Sequence, residues 1–222
     1  MMKYKQTDIQ KYINEFQAEN GPTDRYSSFD YCYQYFLGQT SSQLLQDTQK
    51  SCLMLGFYLA SWGMLRGSSF LLEKSVKHYE PLINYIASLN KSIWSIDVDT
   101  YTDSNISTIC NIYKDIKNLI IENNNAHLIL VTKILLGVFG FIPAYDQYFG
   151  KTFRGLFSGD CGFRSVNKNS LKYISDFYQH NKKEIDTFSN QIFVIDFSTG
   201  KQTNINYPKA KIIDMYGFTK GL

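Results

Sequence analysis

Lys133 and Asp146 are the two residues whose surroundings would make them reactive. Lys133 lies in the apolar run Leu130-Val131-Thr132-Lys133-Ile134-Leu135-Leu136. Asp146 comes thirteen residues later, after the segment Gly140-Phe141-Ile142-Pro143-Ala144-Tyr145. Burial disfavours the charged form of an amine and lowers its pKa, which is how a desolvated lysine becomes a nucleophile near neutral pH. An aspartate at the start of the following helix can relay a proton, or accept that helix's free amides as an N-cap. Two readings are open on the residues alone: a catalytic pair, or a lysine that snorkels to its helix edge next to a capping aspartate.

The second set is the arginines. Lysine supplies most of the positive charge and Asn, Ile, Tyr and Phe are abundant, the pattern of an AT-rich coding sequence, so the four arginines Arg25, Arg66, Arg154 and Arg164 stand out. A guanidinium is a planar fork suited to phosphate and carboxylate, and lysine does not replace it there. Three of the four lie beside glycine or serine. In Trp62-Gly63-Met64-Leu65-Arg66-Gly67-Ser68-Ser69, a helix starting at Ser68 or Ser69 would turn free amides toward an anion, with Arg66 completing the site and Trp62 stacking on a base. Alternatively, this stretch is a helix-to-helix corner with Trp62 in the core. The segment 154–165 carries Arg154, Arg164, three glycines and two phenylalanines, and reads as a loop over a ligand, a nucleic-acid backbone or plain solvent.

Thr132-Lys133 and Pro143-Ala144-Tyr145-Asp146 together resemble the helix-hairpin-helix DNA glycosylase superfamily, over about residues 128–153. The resemblance implies a lysine that forms a Schiff base with the sugar C1′, here Lys133. It also implies an aspartate that assists departure of the base, here Asp146. Where that family has a glycine-rich hairpin before the lysine, this chain has Asn123-Asn124-Asn125-Ala126-His127.

Several classes are disfavoured. Cys32, Cys52, Cys110 and Cys161 lack zinc-type spacing and read as small core residues, and the three histidines are isolated, so neither a metal nor a cofactor is expected. A net charge of +3 is too mild to announce nucleic acid by itself. The apolar run 128–144 is interrupted by Lys133, two glycines and Pro143, which argues against a membrane span. The basic N-terminus has no apolar run behind it, so no secretory signal is read and a cytoplasmic location is expected.

The elements that must position these residues are mostly helices. Apolar residues recur at helical spacing over 8–18 with Thr7 as cap, 42–62, 67–79, 103–122 with Asp103 or Ser104 as cap, and 170–185. Pro81 kinks a helix or begins a new one, and the three asparagines 123–125 close the helix before Lys133. A period of two appears only at 192–197 and 202–206, around a Ser198-Thr199-Gly200-Lys201 turn. Pro208 then starts a short helix that Gly217 stops. The expected fold is a mainly α, single multi-helix domain over 1–222, with 190–222 as a small C-terminal β-hairpin and short-helix appendage. The leading functional expectation is a nucleic-acid-binding protein, with base-excision chemistry by Lys133 and Asp146 and phosphate contacts from Arg66, Arg154 and Arg164. The alternatives are a non-enzymatic helical interaction protein and a helical enzyme for a small phosphorylated or carboxylated ligand at Arg66.

Overall fold

The computed structural model describes residues 7–122 and 125–222. Among them are eleven α-helices and one two-stranded antiparallel hairpin, the mainly α architecture that the periodicity predicts. The first half contains α1 (Ile9–Ala18), α2 (Ser28–Gly38), α3 (Ser41–Gln46), α4 (Thr48–Ser61), α5 (Glu80–Ser88) and α6 (Asp103–Ile120). The second contains α7 (Leu128–Phe139), α8 (Gln147–Leu156), α9 (Lys168–His180), α10 (Lys182–Gln191), the strands β1 (Phe193–Ile195) and β2 (Gln202–Asn206), and α11 (Lys209–Gly221).

Capping side chains decide where several helices break. The stripe over 42–62 is two helices, because the Asp47 side chain accepts from Lys50 N at 3.0 Å and starts α4 afresh. The stripe over 170–185 likewise divides at Asn181, whose amide bonds back to Phe177 O at 2.8 Å. The cap of α1 is Asp8 rather than Thr7, whose hydroxyl reaches Asn181 instead. Thr102 caps α6, ahead of Asp103 and Ser104, by accepting from Asn105 N. Pro81 lies in the first turn of α5 and so begins a helix. The helix expected after Gly67 is instead a pair of short 3-10 turns, Phe70–Glu73 and Val76–Tyr79. The asparagine stop falls partly on residues 123 and 124, outside the described residues, and α6 already ends at Ile120.

α7 is the hub. It is buried from Leu130 to Phe139 and packs on α2, α4 and α6. α11 forms the second buried axis, packed on α8 and α1. It does not stop at Gly217 but runs on to Gly221, because Gly217 lies where the aromatic face of α8 comes closest. A Cβ there would stand 2.7 Å from Phe149 Cδ2 and 2.9 Å from Phe153 Cε2. Close approach, not helix termination, is what this glycine supplies.

The hairpin is fastened to α2 by one buried carboxylate. Asp30 Oδ1 accepts from Ile195 N at 3.0 Å and Oδ2 from Tyr207 Oη at 2.8 Å. Burial pushes the Asp30 pKa from its ordinary 3.8 up to about 6, against the lowering effect of those hydrogen bonds and of Lys211.

Two predictions follow from this packing. Gly217→Ala gains about 1 kcal/mol of helix propensity but must displace two fully buried rings, a cost of roughly 1–3 kcal/mol, so denaturant unfolding should show net destabilisation. Gly155→Ala, at an exposed position of α8 where a Cβ meets nothing within 4 Å, should instead stabilise by up to about 1 kcal/mol. The second prediction concerns Asp30. A carboxyl whose pKa is higher folded than unfolded favours the fold while protonated, and that advantage is lost as pH rises from about 4 to about 6. Measured against Asp30→Asn in urea at a series of pH values, the wild type should lose stability over that interval, by on the order of 2–3 kcal/mol. A difference that does not change with pH would contradict the assignment.

Candidate functional site

Asp146 is the N-cap of α8. Its Oδ1 accepts from Tyr148 N at 3.0 Å and Phe149 N at 2.9 Å, and among the described residues no donor hydrogen-bonds its Oδ2. The segment that presents it is held at each step. Gly140 ends α7 in the left-handed conformation with φ 73°. Tyr101 Oη donates to Phe141 O, Ala144 N donates to Asp214 Oδ1 at 3.0 Å, and Tyr145 N to Thr132 Oγ1 at 3.0 Å. Burial raises the Asp146 pKa, and the nearby Asp214 charge adds to the rise while the cap bonds and Lys133 oppose it.

Lys133 is 7% exposed, and its Nζ donates to Trp62 O, the free carbonyl after α4, at 2.6 Å. Its own carbonyl accepts from Tyr58 Oη at 2.9 Å. Burial lowers its pKa; Asp146 and Asp214 pull it back up, and Arg66 and Arg25 push it further down. Lys133 and Asp146 are therefore electrostatic neighbours, but the amine is turned into the core.

Asp146 opens onto a cleft of about 640 Å3, bordered by the first turn of α7, the N-terminal half of α8, the 63–71 corner and the loop after α8. Ser68, Ser69, Arg154 and Arg164 line it too, so five of the eight residues that the sequence singles out meet there. The Arg154 guanidinium lies near Gly150, where a Cβ would be 3.7 Å from its Cζ. Arg164 is set by its neighbour Phe163, which adopts a left-handed φ of 48° that costs a bulky residue about 1–2 kcal/mol. What holds Phe163 there is its ring, buried edge-on against Tyr145 and Phe149 with centroids 5.3 and 5.5 Å away.

Trp62, Arg66 and Lys133 are not among the residues lining that cleft. Trp62 is buried among Tyr26, Phe29 and Tyr58. Arg66 is exposed and folded over Gly63, where a Cβ would stand 3.0 Å from its Nε. The anticipated anion-binding helix start at Ser68–Ser69 is corrected, since Ser69 caps only a four-residue 3-10 turn by accepting from Leu71 N at 3.3 Å, too short for a helix dipole.

Three participants lie outside the site residues that the sequence predicts. Arg25 donates from Nε to Ser61 O at 2.9 Å and lies over the Tyr26 ring, 4.8 Å from its centroid. Lys211 and Asp214 form a buried ion pair of 3.1 Å on α11. Every ion pair among the described residues uses lysine or histidine, and none of the four arginines has a carboxylate within 4.0 Å. No cluster of three or more His, Cys, Asp or Glu suited to a metal occurs among the described residues, and none of their helices is long and apolar enough to cross a membrane.

Comparison with known protein families, curated proteins and solved structures finds no match for this chain.

The capping role of Asp146 sets a prediction. Asp146→Ala should cost about 1 kcal/mol, within roughly 0.5–2, in urea unfolding at neutral pH, whereas Asp146→Asn, which keeps an acceptor at the cap, should cost a few tenths. Equal losses in both variants would show that the charge, not the cap, supports α8.

Proposed function

We propose that the cleft binds nucleic acid, with Arg154 and Arg164 on the phosphate backbone and Asp146 facing the sugar and base of one nucleotide. One observation carries this reading: two arginines without carboxylate partners and one carboxylate with an unclaimed oxygen converge on the same cleft. Guanidinium forks match phosphate oxygens in bidentate fashion. The first turn of α7 has no side-chain cap and adds partial positive charge. Met64, Phe70, Leu71, Leu128 and Phe163 give the walls an apolar character that suits the faces of a base. A volume of about 640 Å3 holds a nucleotide unit but not a duplex, so the bound nucleotide is single-stranded or turned out of its stack.

The chemistry consistent with this arrangement is hydrolytic base release. An ionised Asp146 Oδ2 would stabilise the positive charge that develops on the sugar as the base leaves, and would accept a proton from the attacking water. The Lys133 charge behind Asp146 favours the ionised carboxylate. Attack by Lys133 on C1′ would require breaking its bond to Trp62 O and losing a proton, and hydrolysis assisted by Asp146 requires neither. The inward orientation of Lys133 also favours a second reading, in which the cleft binds without catalysing a reaction.

Fluorescence anisotropy with single- and double-stranded oligonucleotides should show affinity falling as salt rises from about 50 to 200 mM. Arg154→Ala and Arg164→Ala should each flatten the log–log salt slope by about 1. On a panel of damaged bases, Asp146→Asn should slow base release by about 100-fold or more. A borohydride-trapped adduct that Lys133→Gln abolishes would instead assign the attack to the lysine. Binding without base release on any substrate would leave the non-catalytic reading, and the absence of salt-dependent binding to every oligonucleotide would overturn both.

A further inference from the structure

We infer that Arg25 and Arg66 form a second phosphate subsite beside Asp146, so that the ligand is a strand carrying at least two phosphates rather than a single nucleotide; this rests on the nucleic-acid reading of the cleft. Both arginines are exposed, and the charges of both act on Lys133 and on the Tyr26 hydroxyl. The charge of Asp146 acts on the same two groups. Geometry gathers these cations at the corner after α4: Arg25 Nε lies 2.9 Å from Ser61 O, Lys133 Nζ 2.6 Å from Trp62 O, and the Arg66 side chain folds over Gly63.

The charges in that corner do not balance. Asp214 is paired with Lys211 at 3.1 Å, and none of the three cations in the corner has a carboxylate within 4.0 Å among the described residues. The C-terminus of α4 explains part of the surplus, because its free carbonyls accept Arg25 Nε at Ser61 and Lys133 Nζ at Trp62. It does not explain the remaining N–H groups of Arg25 or the whole guanidinium of Arg66, for which no acceptor occurs among the described residues. The indole N–H of Trp62, buried in the same corner, also has no acceptor among them. Two adjacent guanidinium groups without counter-ions, one of them pre-oriented by a ring face and a backbone carbonyl, fit the oxygens of a phosphodiester. In the chain, Arg66 lies between Met64 and Ser68, both of which line the cleft.

The test compares binding of a mononucleotide, a dinucleotide and longer unmodified oligonucleotides to the full chain and to Arg66→Ala, Arg25→Gln and the Arg154→Ala/Arg164→Ala pair, across a salt series. The expected result is weak mononucleotide binding, a rise in affinity once a second phosphate is present, and a salt slope that flattens by about 0.7 for each arginine removed on single strands. Arg66→Ala is the informative variant, because the Arg66 side chain makes no hydrogen bond to a described residue and thermal unfolding should be unchanged while affinity falls about 5-fold or more. Arg66→Lys should restore only part of the loss. If oligonucleotides bind and respond to Arg154 and Arg164 but not to Arg66 or Arg25, the second subsite is wrong and the cleft reading stands. If the wild type binds no oligonucleotide, the cleft reading fails and this inference with it.

Discussion

Asp214 is bonded both to its own helix and to a turn seventy residues earlier in the chain. Its Oδ1 takes the Ala144 amide, two residues before Asp146, and its Oδ2 takes the Lys211 ammonium. Removing two charges from water costs several kcal/mol per ion, repaid only when geometry and further contacts are good. Here the further contacts are aromatic: Lys211 Nζ lies 4.4 Å from the Trp62 ring centroid, 4.9 Å from Phe29 and 5.0 Å from Phe16. Ring faces are the apolar surface best able to hold a desolvated cation. The pair thus binds α11, α1, α2 and the end of α4 to the turn that presents Asp146. Without it, both a buried ammonium and a backbone amide would be left unpaired, so the site's geometry depends on this one interaction.

That arrangement accounts for the different fates of the cations. The two buried lysines are consumed by the protein itself, Lys211 by Asp214 and Lys133 by the Trp62 carbonyl. The arginines stay exposed, and none has a carboxylate within 4.0 Å among the described residues. Among the described residues, five lysines besides Lys211 pair with a carboxylate and none of the four arginines does, which leaves the strongest anion-binding groups where an external anion can use them.

Much of the helical framework was legible because it depends on local periodicity. The twelve-residue apolar α7 and the capped, striped α6 follow from spacing and from Thr102 or its neighbours. The misreadings share one physical cause, that tertiary contacts overrule local signals. Gly217 looks like a helix stop and is a point of contact with Phe149 and Phe153. Lys211 and Asp214, three residues apart on a helix, carry no local mark of burial and lie in the core. At the candidate site, Asp146, Arg154 and Arg164 were legible from residue type and neighbours, and they do meet in one cleft. Arg25 was passed over because no glycine or serine flanks it, and its relation to Ser61 and Tyr26 exists only in three dimensions.

The central claim is that the four arginines, in the cleft and at the corner after α4, are there to hold a polyanionic backbone. Because the chain has only four arginines, the Nε–Hε region of a 15N-correlated NMR spectrum reports on each of them separately. Addition of a short single-stranded oligonucleotide should shift all four resonances together, with one saturating affinity that weakens with salt. Resonances that stay in place at saturating oligonucleotide, or shifts of Arg25 and Arg66 without Arg154 and Arg164, would contradict the account.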